Sequence, residues 1–384
     1  MSDILLQGHQ ADVTVERLLR QNRKWGARDR QFVASTIYDI VRYKRLLEYL
    51  VNSEFSETNS HLFIGAKCWL ANGYLPQEPQ FAGLRESELS ERLASVRQLP
   101  VIRESYPDWL YHLGQHELGD VWEEEAIALN NSARLCVRVN TLKCTKKELK
   151  EIFDAQQVTY SETELAPDAL VLCERINLHN HPAYRKGFFE IQDVSSQLVA
   201  PFMQIRPGMA VADVCAGAGG KTLHLAALMQ NQGIIVAADI SMHKLEQLRV
   251  RASRSGASNI RIVSDTDSWL SENTGTFDAL LIDAPCSGTG VLRRKPDAKW
   301  HLTEEFIHHI TKVQLQLMER YTPLLREGGT LVYSTCSILP RENEMQVKKF
   351  LQRHPHFILD EERTISPAKT GFDGFYMARL KRKA

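Results

Sequence analysis

The sequence predicts an α/β protein whose C-terminal half is a doubly wound, mainly parallel sheet. An all-α N-terminal domain and a small α+β module are expected to precede this sheet. Three observations carry the prediction: apolar residues at helical spacing in the first third of the chain, short alternating runs after it, and alternating strand-like and helix-like segments to the end. We place the domains at 1–128, 129–195 and 196–384.

The first domain is predicted to be helical throughout. The segments VTVERLLRQ, FVASTIYDIVRYKRLLEYLV and FIGAKCWLANGYL all place apolar residues at i, i+3, i+4 and i+7. Its first part is rich in arginine, at Arg20, Arg23, Arg28, Arg30 and Arg42. A solvated helix face explains these residues, and an RNA or partner contact is the alternative.

The second domain follows a β-α-β-β pattern, formed by LCVRVNTLK, TKKELKEIFDAQ, ALVLCE and GFFEIQD. This pattern predicts a small ferredoxin-like or RRM-like module. Arg138, Lys143, Lys146 and Lys147 make it locally basic, which suits a polyphosphate chain. Solvated lysines on a helix would produce the same pattern.

The third domain alternates between strand-like and helix-like segments. The strand candidates are AVADV, GIIVAADI, NIRIVS, FDALLIDA and GTLVYST. The helix candidates are KTLHLAALMQ, MHKLEQLRVRASRSG, FIHHITKVQLQLMERYTPLL and NEMQVKKFLQRH. A parallel sheet built in this way binds its ligands at the carboxyl ends of its strands.

Composition narrows the class of protein. Lys and Arg total 47 and Asp and Glu total 47, so any site for a polyanion must be local. The seven cysteines show no CxxC or Cys/His ligand spacing, which indicates free thiols in a reducing compartment and no metal site. The sequence shows neither a signal pattern nor an apolar run of membrane length. We therefore expect a cytoplasmic protein without a membrane partner, with a monomer as the default state.

A glycine-rich turn, CAGAGGKT at 215–222, separates the first strand candidate of the third domain from its first helix. Gly217, Gly219 and Gly220 would let backbone amides approach a ligand beside a positive helix N-terminus. A P-loop needs glycine where Cys215 stands, and the dinucleotide pattern G-x-G-x-x-G fails at Thr222. The turn alone indicates only that some ligand is held there.

Acidic residues fall at the ends of successive strand candidates. Asp213, Asp239 and Asp283 end the first, second and fourth of them, and Asp265 follows the third. A carboxylate after the second strand suits a ribose diol, since two hydroxyl donors match two carboxylate oxygens. Together with the glycine turn, these acids indicate an adenosine-containing cofactor.

Two cysteines follow the last two strand candidates: Cys286 in DAPCSGTG and Cys336 in STCS. A single cysteine is more simply a small buried hydrophobe, but these strands should be neighbours, so both sulfurs should open onto one crevice beside the cofactor. A thiolate that adds to carbon 6 of a pyrimidine makes carbon 5 nucleophilic enough to attack S-adenosylmethionine. The target base must leave its stack to reach such a pocket.

Three motifs, CAGAGGKT, DAPCSGTGVLRRKPDAKW and YSTCSILPRENE, resemble those of the RsmB/Nop/Sun-type RNA cytosine-C5 methyltransferases, whose catalytic domain is Rossmann-like. RVNTLK, GFFEIQDVSSQLVA and DGFYMARLK are similar to flanking segments of this family. The resemblance covers the chain from about residue 130 to its end. The helical N-terminal part resembles, more weakly, the NusB-like domain of the bacterial 16S ribosomal RNA members, and it is short for one.

The resemblance implies a role for each candidate catalytic residue. Cys336 would be the nucleophile on carbon 6, Cys286 would assist breakdown of the adduct, and Asp283 would contact both the base and the cofactor side. Without the resemblance Cys286 would be the more natural nucleophile, because DNA cytosine methyltransferases use a Pro-Cys thiol.

The resemblance also implies S-adenosyl-L-methionine as the cofactor. Asp239 would bind its ribose and Asp265 its adenine edge, while Lys221 could lower the pKa of a neighbouring thiol. The methionine end would lie against the turn residues Cys215, Ala216, Gly217, Ala218, Gly219, Gly220 and Lys221.

The substrate implied is RNA, with 16S ribosomal RNA first and transfer RNA second. A basic run after the Pro-Cys motif suits the phosphates that flank a flipped cytosine, and a solvated run is the alternative. The predicted RNA contacts are Arg138, Arg293, Arg294, Lys295 and Lys299.

Two other classes of protein stay open at this stage. LLIDAP resembles a P-loop NTPase strand that ends in a magnesium-binding Asp, although Cys215 and the two strand-end thiols argue against that class. A non-catalytic RNA-binding protein that keeps the fold is the other alternative. It is disfavoured because both thiols and Asp283 are present.

Overall fold

The chain forms two compact units in the computed structural model, which describes residues 1–174, 176–264 and 267–383. The helical unit comprises Met1–Ser132 and Val291–Glu305, and the sheet unit comprises Ala133–Gly290 and Phe306–Ala384. The predicted small module and the larger sheet thus belong to one compact unit, and the predicted division into three domains stays a prediction. Within the described residues, no helix combines the length and the apolar character needed to cross a membrane.

The helical unit is built from short helices, as predicted. They span Ser2–Leu5, Ala11–Gln21, Ala27–Arg42, Lys44–Val51, Ser60–Asn72, Glu86–Val96, Pro100–Arg103, Asp108–Leu118, Trp122–Asn130 and Ala298–His301. The pattern FVASTIYDIVRYKRLLEYLV predicted a single helix, but Tyr43 leaves the helical backbone at φ −107° and ψ 27° and divides it in two. Ile40 and Leu47, one from each half, enter the same apolar core.

The smaller sheet confirms the predicted α+β module and adds one strand to it. The strands are β1 Leu135–Val139, β2 Tyr160–Ser161, β3 Ala169–Leu172 and β4 Phe189–Ile191, with helices at Lys146–Ala155 and Pro182–Arg185. All pairings in this sheet are antiparallel, in the order β2-β3-β1-β4 among the described residues. The two-residue β2 was not predicted because so short a strand carries no readable alternation.

The larger sheet is mainly parallel, as predicted. Its strands are β5 Ala210–Asp213, β6 Ile234–Ala237, β7 Ile260–Ile262, β8 Phe277–Asp283, β9 Leu325–Thr335, β10 Phe357–Ile365 and β11 Phe375–Arg382. In the part of the chain that the structure describes, their order is β10-β11-β9-β8-β5-β6-β7. The strands β5 to β9 pair in parallel, and β11 is antiparallel to both of its neighbours. The two strands that precede the thiols, β8 and β9, are therefore neighbours, as expected.

The antiparallel hairpin of β10 and β11 was not predicted. Only Phe357 and Ile365, the first and last residues of β10, are buried, and the charged residues between them lie along the sheet edge. Such an edge strand shows no apolar alternation, and its charges discourage pairing with another chain. The hydrophobic pattern therefore did not predict β10.

Helices cover both faces of the larger sheet, which confirms the doubly wound arrangement. They span Val194–Gln197, Val199–Phe202, Gly220–Leu228, Met242–Ser255, Asp267–Glu272, Glu304–Tyr321, Glu344–Arg353 and Pro367–Thr370. Alternate residues of β8 point to opposite faces, so Leu280 packs in one core with Met318 and Leu281 in the other with Leu225. The carboxyl ends of β5, β6, β8 and β9 consequently meet at one edge of the sheet.

Candidate active site

The glycine turn connects β5 to the helix Gly220–Leu228. Gly219 adopts φ +86°, and a Cβ atom there would lie 2.1 Å from Leu248 Cδ1, so a larger residue would meet both strain and a clash. Gly217 also has positive φ, at +53°. The turn is thus closely packed against the helix Met242–Ser255 while its other side stays partly exposed at Gly217, Ala218 and Gly220.

Asp239 follows β6 and faces this turn. Its carboxylate accepts hydrogen bonds from the backbone N–H groups of Gly217 and Ser241, both at 2.8 Å, one on each oxygen. Because each carboxylate oxygen can accept a second hydrogen bond, two hydroxyl donors of a ribose could still be bound. The next residue, Ile240, is 93% exposed, which places an apolar surface directly beside this carboxylate.

Asp213, the last residue of β5, is buried beneath the turn. Its carboxylate accepts a hydrogen bond of 2.7 Å from the Thr222 hydroxyl. Burial, which disfavours the charged form, raises the pKa of this carboxyl group to about 7. The negative charge of Asp283 adds to the rise, while Lys221 opposes it.

This raised pKa predicts a pH-dependent stability. Because the folded state holds the Asp213 proton more tightly than the unfolded chain, whose Asp pKa is about 3.9, the Asp213 contribution to stability falls as the pH rises between about 4 and 7. The free energy of unfolding of Asp213→Asn, relative to the wild type, should therefore be higher at pH 8 than at pH 5 by about 2–3 kcal/mol. Urea unfolding at both pH values measures this difference. Asp12→Asn, at an exposed position, is the control substitution. A pH-independent difference for Asp213→Asn would contradict the assignment.

Lys221, the second residue of the helix after the turn, pairs with Asp283 at the end of β8. Its ammonium nitrogen lies 2.6 Å from Asp283 Oδ2 and 4.9 Å from the centroid of the Phe375 ring. The Ser334 hydroxyl donates to the other Asp283 oxygen at 2.9 Å. A P-loop lysine must reach nucleotide phosphates, so the engagement of Lys221 with Asp283 argues against the NTPase alternative.

The two thiols lie together, which confirms their predicted proximity. Cys286 Sγ and Cys336 Sγ are 3.2 Å apart, and both residues are partly buried. The hydrogen bond with Cys336 and burial raise the pKa of Cys286 well above the usual thiol value, and the charge of Glu342 raises it further. Near neutral pH, Cys286 is therefore a neutral thiol beside the second sulfur.

Glu342 is the principal residue at this site that the sequence analysis did not single out. Its side chain is fully buried (0% exposed). One carboxylate oxygen accepts hydrogen bonds from the Ser287 and Ser337 hydroxyls at 2.5 and 2.6 Å, and the other accepts from the Ser287 N–H and the Gln314 amide at 2.8 and 3.0 Å. Glu342 thus ties the loop after Cys286 to the loop after Cys336. The sequence feature that could have indicated Glu342 is its position in the PRENE segment of the motif YSTCSILPRENE.

The thiol-bearing loops are also joined through their backbones. Gly290 N–H donates to the Cys336 carbonyl oxygen at 2.9 Å, and Gly374 N–H donates to the Gly290 carbonyl oxygen at 2.8 Å. A Cβ atom on Gly290 would lie 2.2 Å from the Gly374 oxygen and 2.8 Å from the Cys336 oxygen, so only glycine fits. Asn343 completes the turn after β9, accepting from the Thr335 hydroxyl at 2.5 Å and donating to the Ser337 carbonyl oxygen at 3.0 Å.

Burial argues against three of the predicted RNA contacts. Arg293 and Lys299 are 3% and 1% exposed, and within the helical unit they donate to the Ala128 carbonyl oxygen at 2.7 Å and to Asn130 Oδ1 at 3.1 Å. Arg138 is 1% exposed in the smaller sheet. These cations serve internal hydrogen bonds because a buried charge must be partnered, and they present no surface to a phosphate.

The remaining predicted residues divide into three groups. Lys295 is exposed and Arg294 partly buried, and both stay predicted RNA contacts. Asp265, the predicted partner of the adenine edge, lies outside the described residues. Cys215 and Ala216 lie in the glycine turn, where the Ala216 N–H donates to the Ala238 carbonyl oxygen at 3.0 Å.

The edge of the larger sheet at which β5, β6, β8 and β9 end fits a sulfonium cofactor that carries an adenosine. The glycine turn leaves room for close approach, the Asp239 carboxylate retains acceptor capacity for a diol, and the lysine of the turn is neutralised by Asp283. Two thiols stand at the ends of the adjacent strands. The arrangement thus brings a place for a group donor and two thiols to the same edge of the sheet.

Two family models match the chain. Residues 200–381 match the family described as 16S rRNA methyltransferase RsmB/F. Residues 106–179 match the ferredoxin-like domain of RsmF/B-like methyltransferases, a range that begins in the helical unit and ends within the predicted small module.

Individual sequence relatives and solved structures are also similar to this chain. The chain is 28% identical over 435 residues to the probable ribosomal RNA small subunit methyltransferase B of Synechocystis sp., covering 100% of this chain and 97% of that one. It is 32% identical over 291 residues to the ribosomal RNA small subunit methyltransferase B of Vibrio cholerae, covering 73% of this chain and 66% of that one. Among solved structures, a methyltransferase homolog protein from Pyrococcus horikoshii is similar with a TM-score of 0.66 at 27% identity, covering 74% of this chain and 97% of that one.

The motifs around the two thiols, the fold and these matches agree with one another, and the resemblance inferred from the motifs is confirmed. The chain belongs to the RsmB/F family of S-adenosylmethionine-dependent methyltransferases.

Proposed function

We propose that this protein methylates carbon 5 of a cytidine in 16S ribosomal RNA and that Cys336 is the nucleophile. The observation that carries the proposal is the pair of thiols 3.2 Å apart, of which Cys286 has a raised pKa. Two sulfurs this close disfavour a pair of thiolates, so one attacks while the other stays a neutral hydrogen-bond donor, and the resemblance of the Thr-Cys motif to the family assigns the attack to Cys336. This assigns physically distinct roles to two residues of the same type.

In the first step, the Cys336 thiolate adds to carbon 6 of the flipped cytosine. An S–C6 bond forms, the C5–C6 double bond is lost, and its electron pair becomes available at carbon 5. We propose that Asp283, which is held by Lys221 and Ser334, accepts a hydrogen bond from the 4-amino group of the ring. Bound S-adenosylmethionine supplies the electrophilic methyl group.

In the last step, a base removes the proton from carbon 5 and the C5–C6 double bond re-forms as the S–C6 bond breaks. Cys336 leaves as a thiolate, and the Cys286 S–H donates a hydrogen bond to its sulfur, which stabilises the departing group. Removing Cys286 should therefore slow release more than addition. Glu342 supports both roles by fixing the two loops from which the sulfurs project.

For the cofactor, we propose that Asp239 binds the ribose hydroxyls and that the turn Cys215–Lys221 holds the methionine end. The exposed Ile240 offers an apolar surface on which an adenine ring can stack. The proposed RNA contacts are now Arg294 and Lys295, because the other three candidates are buried.

Ribosomal RNA is proposed as the substrate because the matching family is described by 16S rRNA and both sequence relatives are named for the small ribosomal subunit. Bisulfite sequencing of total RNA tests this directly. We expect one or more cytidines of 16S ribosomal RNA to lose protection in a deletion strain, and to regain it with the wild-type gene but not with Cys336→Ala. Loss of protection confined to transfer RNA, or no loss at all, would contradict the proposed substrate.

A further inference from the structure

The smaller sheet carries a buried pair of opposite charges. Arg138 on β1 and Glu190 on β4 are register partners, and each residue is only 1% exposed. Burial lowers the pKa of Arg138 to about 10, even though the charge of Glu190 opposes that effect. Charged groups are rarely placed in the interior of a protein unless partners compensate them.

The Glu190 carboxylate is compensated by two arginines from the helix Met242–Ser255 of the larger sheet. Arg251 Nη2 lies 2.9 Å from Glu190 Oε2, and Arg254 Nη2 lies 2.5 Å from Glu190 Oε1. Arg254 also lies over the Tyr184 ring, at 3.9 Å from its centroid. One buried carboxylate thus joins the smaller sheet to a helix of the larger one.

Arg251 and Arg138 also reach the backbone of the glycine turn. Arg251 Nη1 donates to the Ala218 carbonyl oxygen at 2.7 Å. Arg138 Nη2 donates to the Gly220 carbonyl oxygen at 3.5 Å, and its Nε atom is oriented by Gln192 Oε1 at 2.7 Å. One carbonyl group of the turn is therefore contacted by Arg138 of the smaller sheet, and the other by Arg251, whose guanidinium pairs with Glu190 of that sheet.

Holding these carbonyl groups orients the donors of the turn. A peptide unit is planar, so fixing the Gly220 C=O also fixes the N–H of Lys221, and fixing the Ala218 C=O fixes the N–H of Gly219. The Gly219 N–H closes the turn by donating to the Ala216 carbonyl oxygen at 2.9 Å. A turn rich in glycine has many accessible backbone conformations, so outside contacts are needed to keep one of them.

We propose that the smaller sheet is part of the cofactor site: Glu190 positions Arg251, and Arg251 and Arg138 hold the glycine turn in its binding conformation. The inference rests on the proposed binding of S-adenosylmethionine by this turn. It gives the module a function other than contact with RNA. Arg138, Glu190 and Arg251 are positioning residues, since they act on the cofactor through the backbone of the turn.

Two arginines on one helix provide a matched test. Arg251→Met removes the hydrogen bond to the Ala218 carbonyl oxygen. Arg254→Met also removes a partner of Glu190, but the described contacts of Arg254 are with Glu190 and Tyr184 and not with the turn. We expect Arg251→Met to raise the Kd for S-adenosylhomocysteine by about tenfold or more in calorimetry, since a charge-assisted hydrogen bond to the turn is lost. Arg254→Met should change it by less than about twofold, although both variants lower the Tm.

Kinetic constants distinguish a positioning role of Arg251 from a general loss of stability. Arg251→Met should raise KM for S-adenosylmethionine and leave KM for RNA unchanged, and Arg251→Lys should be intermediate because one ammonium group cannot serve both Glu190 and Ala218 as the planar guanidinium does. If Arg251→Met does not fold, the Kd for Arg251→Lys, compared with that for Arg254→Met, decides the question. Equal effects of the Arg251 and Arg254 variants, or an unchanged Kd after substitution of Arg251, would overturn the proposal.

The binding measurement does not depend on the chemistry at the thiols. Wild-type protein that binds S-adenosylhomocysteine but modifies no cytidine would overturn the proposed function and leave the role of the smaller sheet standing. Conversely, if the wild-type protein methylates RNA but substitution of Arg251 leaves the Kd for S-adenosylhomocysteine unchanged, only the inference about the smaller sheet is overturned.

Discussion

Cys336→Ala is expected to lower the rate of RNA methylation by roughly 10⁴-fold or more, because without a thiolate on carbon 6 the ring is too weak a nucleophile to accept a methyl group. Transfer of a labelled methyl group to RNA measures this loss. The Kd for S-adenosylhomocysteine should stay within about twofold of the wild-type value, since in the proposed mechanism this side chain bonds to the base and not to the adenosine. Substantial methylation by Cys336→Ala would show that another group attacks the base.

The matched variant is Cys286→Ala. Both cysteines are partly buried and both substitutions remove one sulfur from the same pair, so their effects on stability should be similar. We expect Cys286→Ala to complete addition and methylation once but to turn over slowly, because release of Cys336 loses its hydrogen-bond donor. Equal loss of the first turnover in both variants would contradict this division of roles.

Glu342→Leu is expected to have the largest effect on stability among the residues of the site. The substitution is close in volume but leaves the four donors of Ser287, Ser337 and Gln314 without their acceptor. Breaking a buried polar network in this way costs about 3–5 kcal/mol in the free energy of unfolding, which urea denaturation measures.

Two controls make this prediction specific. Glu342→Gln retains one acceptor oxygen, so we expect a smaller loss of stability together with a lowered pKa of Cys286, because the nearby negative charge is gone. The pH dependence of alkylation at Cys286 measures that pKa. Glu344→Gln, at an exposed position in the same segment, should change neither property. An unchanged free energy of unfolding in Glu342→Leu would refute the role of the network.

Part of the site could be predicted because local sequence signals indicate it. The glycine turn, Asp239 and the proximity of Cys286 and Cys336 follow from strand ends, turn residues and the rule that ligands bind at the carboxyl edge of a parallel sheet. The order of neighbouring strands β8 and β9 then brings the sulfurs together. These features depend on a few residues and on topology.

The residues that were missed or misassigned are charged groups in the interior. A charge in a sequence is most simply read as solvated, so Glu342 had no assigned role and Arg138, Arg293 and Lys299 were predicted to contact RNA. Their partners, among them the Ser287 hydroxyl for Glu342 and the Ala128 carbonyl oxygen for Arg293, are distant in sequence. Such pairings arise only when the chain is folded, and no composition or spacing rule reports them.

The proposed mechanism depends on a covalent bond between Cys336 and carbon 6 of the target cytosine. Purified Cys286→Ala and Cys336→Ala should each be incubated with S-adenosylmethionine and 16S ribosomal RNA from a deletion strain, then resolved on a denaturing gel. We predict a protein–RNA band of reduced mobility with Cys286→Ala, which traps the adduct, and no such band with Cys336→Ala. A band with Cys336→Ala and none with Cys286→Ala would reverse the roles of the two thiols, and no band with either variant would contradict the covalent mechanism.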